Sequence, residues 1–235
     1  MISLVVIVPI LLFLIVAIVN MIREGQRQLA EKLGGPHAIQ IAQRDLKEVA
    51  PEIQMENHTC GLHALRTIYS AFGLNPDLEN LRFRLGVDRP ANPLDPESIG
   101  TLQPDMFRVL LQDGFEFERL VVSKPNVSEE LVNALKANKL AAALIRRRQN
   151  GNLHWVVLRF ESESNVTVID SLEAKPYLEP LPGFIDECLL SCILVAPVAA
   201  PDTEVSEGDI EWAHMEGSWE LIESVKRYKA LHVPN

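Results

Sequence analysis

The first 22 residues, "MISLVVIVPILLFLIVAIVNMI", contain no charged side chain. This run is the strongest constraint on what the chain can form. A helix rises about 1.5 Å per residue, so about 20 apolar residues cross a hydrocarbon core of about 30 Å. A cleaved signal peptide is the alternative. Against it, the run lacks a basic start, exceeds the usual apolar core of about 7–15 residues, and is followed by no A-x-A cleavage site. Residues 1–22 are therefore predicted to form a transmembrane anchor.

Basic residues lie on only one side of this predicted anchor. No Lys or Arg precedes it, whereas Arg23, Arg27 and Lys32 follow it closely. Because Lys and Arg accumulate on the cytoplasmic side of a span, we expect a single-pass protein whose following domain is cytoplasmic.

Changes in composition divide the rest of the chain. Residues 23–36 are predicted to form a helical stalk that ends at Gly-Gly-Pro, and residues 37–200 are long enough for a domain with a real core. Residues 201–235 are acidic, with a segment "GSWELIESVKRYKAL" that predicts a helix. We interpret this end as a solvated tail or a partner-binding segment, and expect truncation after about residue 203 to leave the fold intact.

Charge and cysteine content exclude several classes of function. The net charge is −10, with no basic cluster of the kind that contacts phosphates, so a nucleic-acid partner is not expected. Cys188 and Cys192 are spaced CxxxC, which is a poor zinc signature, and are interpreted as buried thiols. The odd total of three cysteines favours a reducing compartment. No metal or organic cofactor is predicted.

Helical patterns precede strand patterns, which predicts an α+β domain with an N-terminal helical half and a C-terminal antiparallel sheet. Thr59 and Ser128 are predicted to cap the first and last of the four helices. An Asn-Gly turn is expected to join the second and third strands. The helices are "TCGLHALRTIYSAFG", "PDLENLRFRLG", "PDMFRVLLQDG" and "SEELVNALKAN", and the strands are "FEFERLVV", "LAAALIR", "HWVVLRF", "NVTVID" and "CILVAP".

Four residues in separate segments have the chemistry of a thiol hydrolase. Cys60 occupies the first turn of a predicted helix, where the helix dipole favours a thiolate. His154 begins one strand and Asp170 ends the next, so a hairpin brings them to the same end of the sheet, where Asp170 can orient the imidazole. Gln54, six residues before Cys60, can donate to an oxyanion together with the Cys60 N–H. Each residue alone has an ordinary structural interpretation, as does His63; the combination favours catalysis.

These segments, "QMENHTCGLHAL", "HWVVL" and "VIDSL", resemble the papain-like cysteine peptidases, and most closely the bacteriocin-processing family that removes double-glycine leaders. The resemblance covers residues from about 50 to 197. It implies that Cys60 is the nucleophile, His154 the base, Asp170 the orienting group and Gln54 the oxyanion donor. Family members typically have proline after the aspartate, where this chain has Ser171. They also usually precede an ATP-driven exporter, whereas this chain has no P-loop, so it is expected to act alone or beside a separate transporter.

A second resemblance is to the Josephin deubiquitinases, which share the order of the catalytic residues and carry a histidine three residues after the cysteine, as His63 is here. The predicted function is therefore hydrolysis of a peptide or protein substrate at a membrane. The alternatives are a deubiquitinase-like isopeptidase and a catalytically silent papain-like domain that binds a partner. Transfer of the acyl group to an amine instead of water is a further alternative.

Overall fold

The structure is a computed structural model, and it describes residues 46–87, 100–197 and 206–232. The predicted anchor, the predicted stalk and most of the proline-rich segment before residue 100 lie outside these ranges. Within them, no helix is both long and apolar enough to cross a membrane.

The helical half begins with a 3-10 turn, Asn57–Thr59, that continues into helix α1, Cys60–Ala71. Thr59 does not cap α1 as predicted, because its hydroxyl donates a 2.8 Å hydrogen bond to the Glu56 carbonyl and stabilises the 3-10 turn instead. Helix α2 spans Leu78–Arg84, capped by Asp77 through a 3.0 Å bond from the Asn80 N–H, and helix α3 spans Gln103–Gln112.

The sheet has six strands, and every neighbouring pair is antiparallel. Helix α4, Val127–Lys136, connects β1 to β2, and helix α5, Leu181–Glu187, connects β5 to β6. Across the sheet the order is β1-β6-β2-β3-β4-β5. The strands are β1 Phe115–Leu120, β2 Leu140–Arg146, β3 Leu153–Phe160, β4 Asn165–Ile169, β5 Tyr177–Pro180 and β6 Leu189–Pro197.

The predicted mixture of helices and antiparallel strands is confirmed, with local differences. Strand β5 and helix α5 are absent from the sequence prediction, since four residues and seven residues are too short to show a period. Helix α4 begins at Val127, one residue before the predicted cap Ser128. Gly151 adopts a left-handed φ of 76° in the predicted turn between β2 and β3.

Helices cover both faces of the sheet, which buries the central strands on both sides. Leu144 of β2 and Trp155 of β3 belong to the core formed with α1 and α3. Their neighbours Ala143 and Val156 belong to a second core formed with α4 and α5. This two-sided burial explains why "LAAALI" is apolar throughout instead of alternating with polar residues.

A long helix, α6, Glu207–His232, ends the described chain and packs against α3 and β6. Its buried side consists of small and polar residues, including Ala213, Gly217 and Ser224. Gln103 Nε2 donates a 3.0 Å bond to Ser224 Oγ, and the Arg227 guanidinium donates to main-chain carbonyls of the α5–β6 region.

Helix α6 therefore packs on the domain, whereas a solvated tail is one of the two interpretations of residues 201–235 from the sequence. The same contacts argue against the expectation that truncation after about residue 203 leaves the fold intact. The sequence does not predict this packing, because small residues and hydrogen bonds form it. A search for periodic apolar residues detects neither of them. Removing α6 is expected to expose its buried contacts on α3 and β6 and to destabilise the domain.

A glycine at the crossing of α6 over α3 provides a test of this packing. A Cβ added to Gly217 would lie 2.5 Å from Pro104 Cα, so one helix backbone must move. We expect Gly217→Ala to lower the unfolding free energy by about 1–3 kcal/mol, as overpacking does. Gly208→Ala is the matched control on the same helix, since its nearest such contact is Ser206 Oγ at 3.7 Å. Thermal unfolding of the full chain measures both; equal midpoints for the two variants would show that α6 does not pack closely on α3.

Candidate active site

Cys60 opens helix α1 and is buried, with 7% of its surface exposed. The next residue must be glycine, because a Cβ on Gly61 would lie 2.5 Å from Thr101 Cβ. Thr101 is itself fixed, since its carbonyl accepts a 2.9 Å bond from Trp155 Nε1 on β3. Gly61 therefore lets Thr101 lie against the first turn of α1. Through its bond to Trp155, Thr101 connects that turn to the sheet.

Strands β3 and β4 bring His154 and Asp170 together. His154 is the second residue of β3, and Asp170 directly follows β4. Strands β3 and β4 pair antiparallel. His154 Nε2 lies 2.6 Å from Asp170 Oδ1, and both side chains are almost fully buried. The Leu172 N–H donates a 2.8 Å bond to the same carboxylate oxygen, which fixes its orientation. The imidazole is thus oriented by a carboxylate that is itself oriented by the backbone.

Cys60 lies close enough to the His154 ring for its side chain to contribute to the raised pKa of the imidazole. Because Nε2 faces Asp170, Nδ1 is the ring nitrogen left for the thiol. The structure thus brings Cys60, His154 and Asp170 into one chain of contacts, the order that the sequence analysis expects.

The positive charge of His154 and the negative charge of Asp170 stabilise each other. Burial opposes a charged imidazole, but hydrogen bonds and negative charge from Asp170 and Cys60 outweigh it and raise the pKa of His154 to about 9. Burial likewise favours a neutral Asp170, but the hydrogen bond and charge of His154 and the Leu172 N–H lower the pKa of Asp170 overall. An imidazolium beside the Asp170 carboxylate is therefore the favoured state of this pair at neutral pH.

The other two cysteines lie in different surroundings. Both are buried free thiols, and burial raises the pKa of Cys188 and of Cys192. A protonated thiol is a weak nucleophile, so reactivity is expected at Cys60 alone. Across the described ranges, no group of three or more His, Cys, Asp or Glu is placed to hold a metal ion.

Gln54 is buried and held at both ends of its amide. Ser171 Oγ donates a 2.6 Å bond to Gln54 Oε1, and Gln54 Nε2 donates a 3.2 Å bond to the Glu56 carbonyl. The Gln54 N–H also donates to the Ser171 carbonyl at 2.9 Å. An amide nitrogen carries two hydrogens, so one N–H of Gln54 remains available for an oxyanion.

Sequence reasoning misses the roles of Ser171 and Glu56. Ser171 follows Asp170 directly, so its hydroxyl links the loop that carries Gln54 to the strand end that carries the carboxylate. Glu56 supports the same loop, since Arg82 of α2 pairs with its carboxylate at 2.6 Å. The sequence gives one indication of the role of Ser171: this residue has a hydroxyl at the position where the bacteriocin-processing peptidases typically have proline. His63 faces Glu52 at 3.6 Å and takes no part in the triad.

Comparison with known proteins finds likeness in structure only. No family profile matches the chain, and no curated protein matches it. One similar solved structure is a double glycine motif protease from an AMS/PCAT transporter in complex with the leader peptide, at 19% identity and a TM-score of 0.47, over 66% of this chain and 96% of that one.

Another is the peptidase domain of Streptococcus ComA, a bifunctional ABC transporter of a quorum sensing pathway, at 16% identity and a TM-score of 0.46, over 66% of this chain and 99% of that one. One is described as a protease and the other as a peptidase domain, each from a transporter. At these scores and identities the likeness assigns no substrate to this chain.

Alkylation at low pH tests the thiol–imidazole contact without any substrate. The pKa of His154 is raised to about 9, so its ring is cationic at pH 6, and a cation beside a thiol promotes alkylation of that thiol. We expect iodoacetamide to label Cys60 at pH 6, and His154→Ala to slow this labelling by about tenfold or more. Peptide mapping by mass spectrometry gives the rate at each cysteine. Equal rates in the two proteins, or faster labelling of Cys188, would contradict the assigned contact.

Proposed function

We propose that this chain is a membrane-anchored cysteine peptidase that hydrolyses peptide bonds through Cys60, His154 and Asp170, with Gln54 as oxyanion donor. The observation that carries the proposal is the buried His154, which contacts the Cys60 thiol on one side and the Asp170 carboxylate on the other. Covalent acyl transfer requires a nucleophile beside a base, and the base must in turn be held by an orienting group.

The reaction begins with attack of the Cys60 thiolate on the substrate carbonyl carbon, which forms a C–S bond and places negative charge on the carbonyl oxygen. His154, protonated at neutral pH, transfers its proton to the leaving nitrogen as the C–N bond breaks. The amine departs and leaves a thioester on Cys60. Neutral His154 then takes a proton from water, whose oxygen attacks the thioester; the acid is released, and the proton restores the ion pair.

Gln54 is suited to stabilise the negative carbonyl oxygen. Its amide orientation is fixed before the substrate binds, because Ser171 holds Oε1 and the Glu56 carbonyl takes one hydrogen of Nε2. A donor fixed in advance needs no reorganisation when charge develops, which is the source of its catalytic effect. Ser171 acts here as a positioning residue.

Exposed apolar side chains next to the catalytic residues favour a peptide substrate. Met55 adjoins Gln54, Leu153 adjoins His154, and Leu172 follows Ser171, and all three are exposed. These exposed apolar residues lie in the three segments that carry Gln54, His154 and Asp170, and they offer surface against which an extended peptide can pack.

The location at a membrane rests on the sequence alone. Residues 1–22 are the proposed anchor, and the basic residues after them orient the domain toward the cytoplasm, where a separate transporter or membrane complex is a candidate partner. In sealed vesicles of known orientation, digestion of the domain by added protease from the non-cytoplasmic side would reverse this assignment.

Hydrolysis of a fluorogenic peptide library by the full chain tests the proposed function. Cys60→Ala is expected to lower turnover by at least about 10³-fold, because it removes the nucleophile. Cys188→Ala is the matched control: it removes another buried thiol and is expected to change stability more than turnover. Turnover that survives in Cys60→Ala would exclude a thiol mechanism, and wild-type protein that cleaves no peptide would favour a silent binding domain.

The oxyanion donor and its positioning residue have separate effects on rate. Gln54→Ala is expected to lower kcat by about 10²–10³-fold. Ser171→Ala is expected to lower kcat by about tenfold or less, because it removes one hydrogen bond that orients the amide. Ser171→Thr keeps a hydroxyl and is the control for rescue.

Iodoacetamide labelling of Cys60 forms no oxyanion, so it is expected to be unchanged in these variants. If Ser171→Ala slows labelling as much as it slows kcat, the residue supports the fold of the site and not the donor.

A further inference from the structure

Helix α6 presents its large apolar side chains to solvent. Trp212 and Trp219 are 47% and 54% exposed, and Met215, Ile222 and Val225 are exposed to a similar degree. Their spacing of three and four residues places them along one face of the helix, which we call the α6 stripe. Isolated exposed apolar residues are common, but five on one helix face form a continuous patch that indicates an interaction surface.

Helix α6 packs on the domain mainly through the side opposite the stripe, which is formed by Ala213, Gly217, Glu220 and Ser224. Glu220 lies 3.6 Å from Arg119, so a charged residue faces inward while Trp219 is half exposed. Trp212 lies at the flank of the stripe, where its ring stacks on Phe117 at 5.7 Å between centroids and 47% of its surface stays exposed. This arrangement is the reverse of that in a helix whose only role is to cover its own domain.

Charges at the two ends of the stripe are opposite in sign. Glu207 and Glu211 lie near its N-terminal end, and Lys226 and Lys229 near its C-terminal end, all four exposed. Residues at these positions share the face of Met215 and Ile222, because each is separated from the stripe by steps of three or four residues. Lys226 also pairs with Glu223 at 2.7 Å, which is a weak interaction at an exposed site.

We propose that the α6 stripe is a homodimer interface, in which a second copy of this chain packs its own α6 antiparallel across a two-fold axis near Trp219. A surface that is acidic at one end and basic at the other complements itself only when two copies run in opposite directions. With the axis between Ser218 and Trp219, Met215 of one copy lies opposite Ile222 of the other.

The same register aligns the outer residues. Trp212 of one copy lies opposite Val225 of the other, and Glu211 lies opposite Lys226. One axis therefore matches the apolar and the charged residues together, and the two Trp219 side chains meet at the centre, where aromatic anchors are commonly found in interfaces.

A membrane surface fits this stripe less well. Helices that lie in the lipid interface are rich in Lys and Arg, and cytoplasmic leaflets are anionic. Here the N-terminal part of the stripe carries Glu207 and Glu211, which anionic lipids repel. Two half-exposed tryptophans with three aliphatic side chains expose several hundred Å² of apolar surface per copy, roughly the scale of about 800 Å² per partner in a stable complex.

Charge-reversed variants of the full chain test the proposal. The acid-end variant carries Glu207→Lys and Glu211→Lys, and the base-end variant carries Lys226→Glu and Lys229→Glu. In an antiparallel pair each variant alone faces like charges, so we expect its self-association to weaken by about tenfold or more. Mixing the two variants restores opposite charges at both ends, so their mutual association is expected to return toward that of wild type.

The readout is energy transfer between full chains labelled with donor or acceptor at the C-terminus and mixed in detergent micelles. All four altered residues are exposed, and circular dichroism checks that each variant is folded. Trp219→Glu separates the α6 stripe from any association through residues 1–22, because it changes only the stripe. Energy transfer that persists in Trp219→Glu, that ignores the charge reversals, or that fails to recover in the mixed variants would overturn the proposal, as would a monomeric wild-type chain.

Discussion

The contact between His154 and Asp170 at the end of the β3–β4 pair is the interaction on which the site depends. It joins two buried ionisable groups at 2.6 Å, and the Leu172 N–H donates to the carboxylate oxygen that faces the ring. Breaking such a pair from one side would leave an uncompensated buried charge, which is strongly destabilising. Because the pKa of His154 is raised to about 9, its contribution to stability is complete below the unfolded-state value of about 6.5 and is lost as pH rises through about 9. The pKa of Asp170 is lowered, so its contribution is lost instead as the pH falls into the acidic range.

Two further contacts connect this pair to the helical half. Gly61 allows Thr101 to lie against the first turn of α1, and Trp155 of β3 holds Thr101 in place. Ser171 binds the loop of Gln54 to the residue after Asp170. Cys60, His154, Asp170 and Gln54 thus lie on separate segments that these contacts join at one end of the sheet. The ends of β3 and β4 position His154 and Asp170, and Ser171 fixes the loop of Gln54 to them.

The proximity of His154 and Asp170 is predictable from the sequence, because a hairpin brings positions 154 and 170 together. The catalytic roles of Cys60, His154, Asp170 and Gln54 stay predictions. Ser171 escapes detection because its role depends on a side-chain contact with a residue 117 positions away. The packing of α6 escapes detection for a different reason: Gly217 and Ser224 bury small and polar surface, while Trp212 and Trp219 stay about half exposed.

In the proposed reaction, His154 gives its proton to the leaving nitrogen while Cys60 becomes acylated. This proton transfer is tested by pre-steady-state acylation of the full chain, measured against pH for a peptide amide and for a nitrophenyl ester of the same peptide. The amide needs a proton on its leaving group and the ester does not. Acylation by the amide is predicted to fall about tenfold per pH unit above about pH 9, while acylation by the ester does not fall, and both acyl groups map to Cys60. Parallel pH dependence for the two substrates, or an acyl group on another residue, would contradict the mechanism.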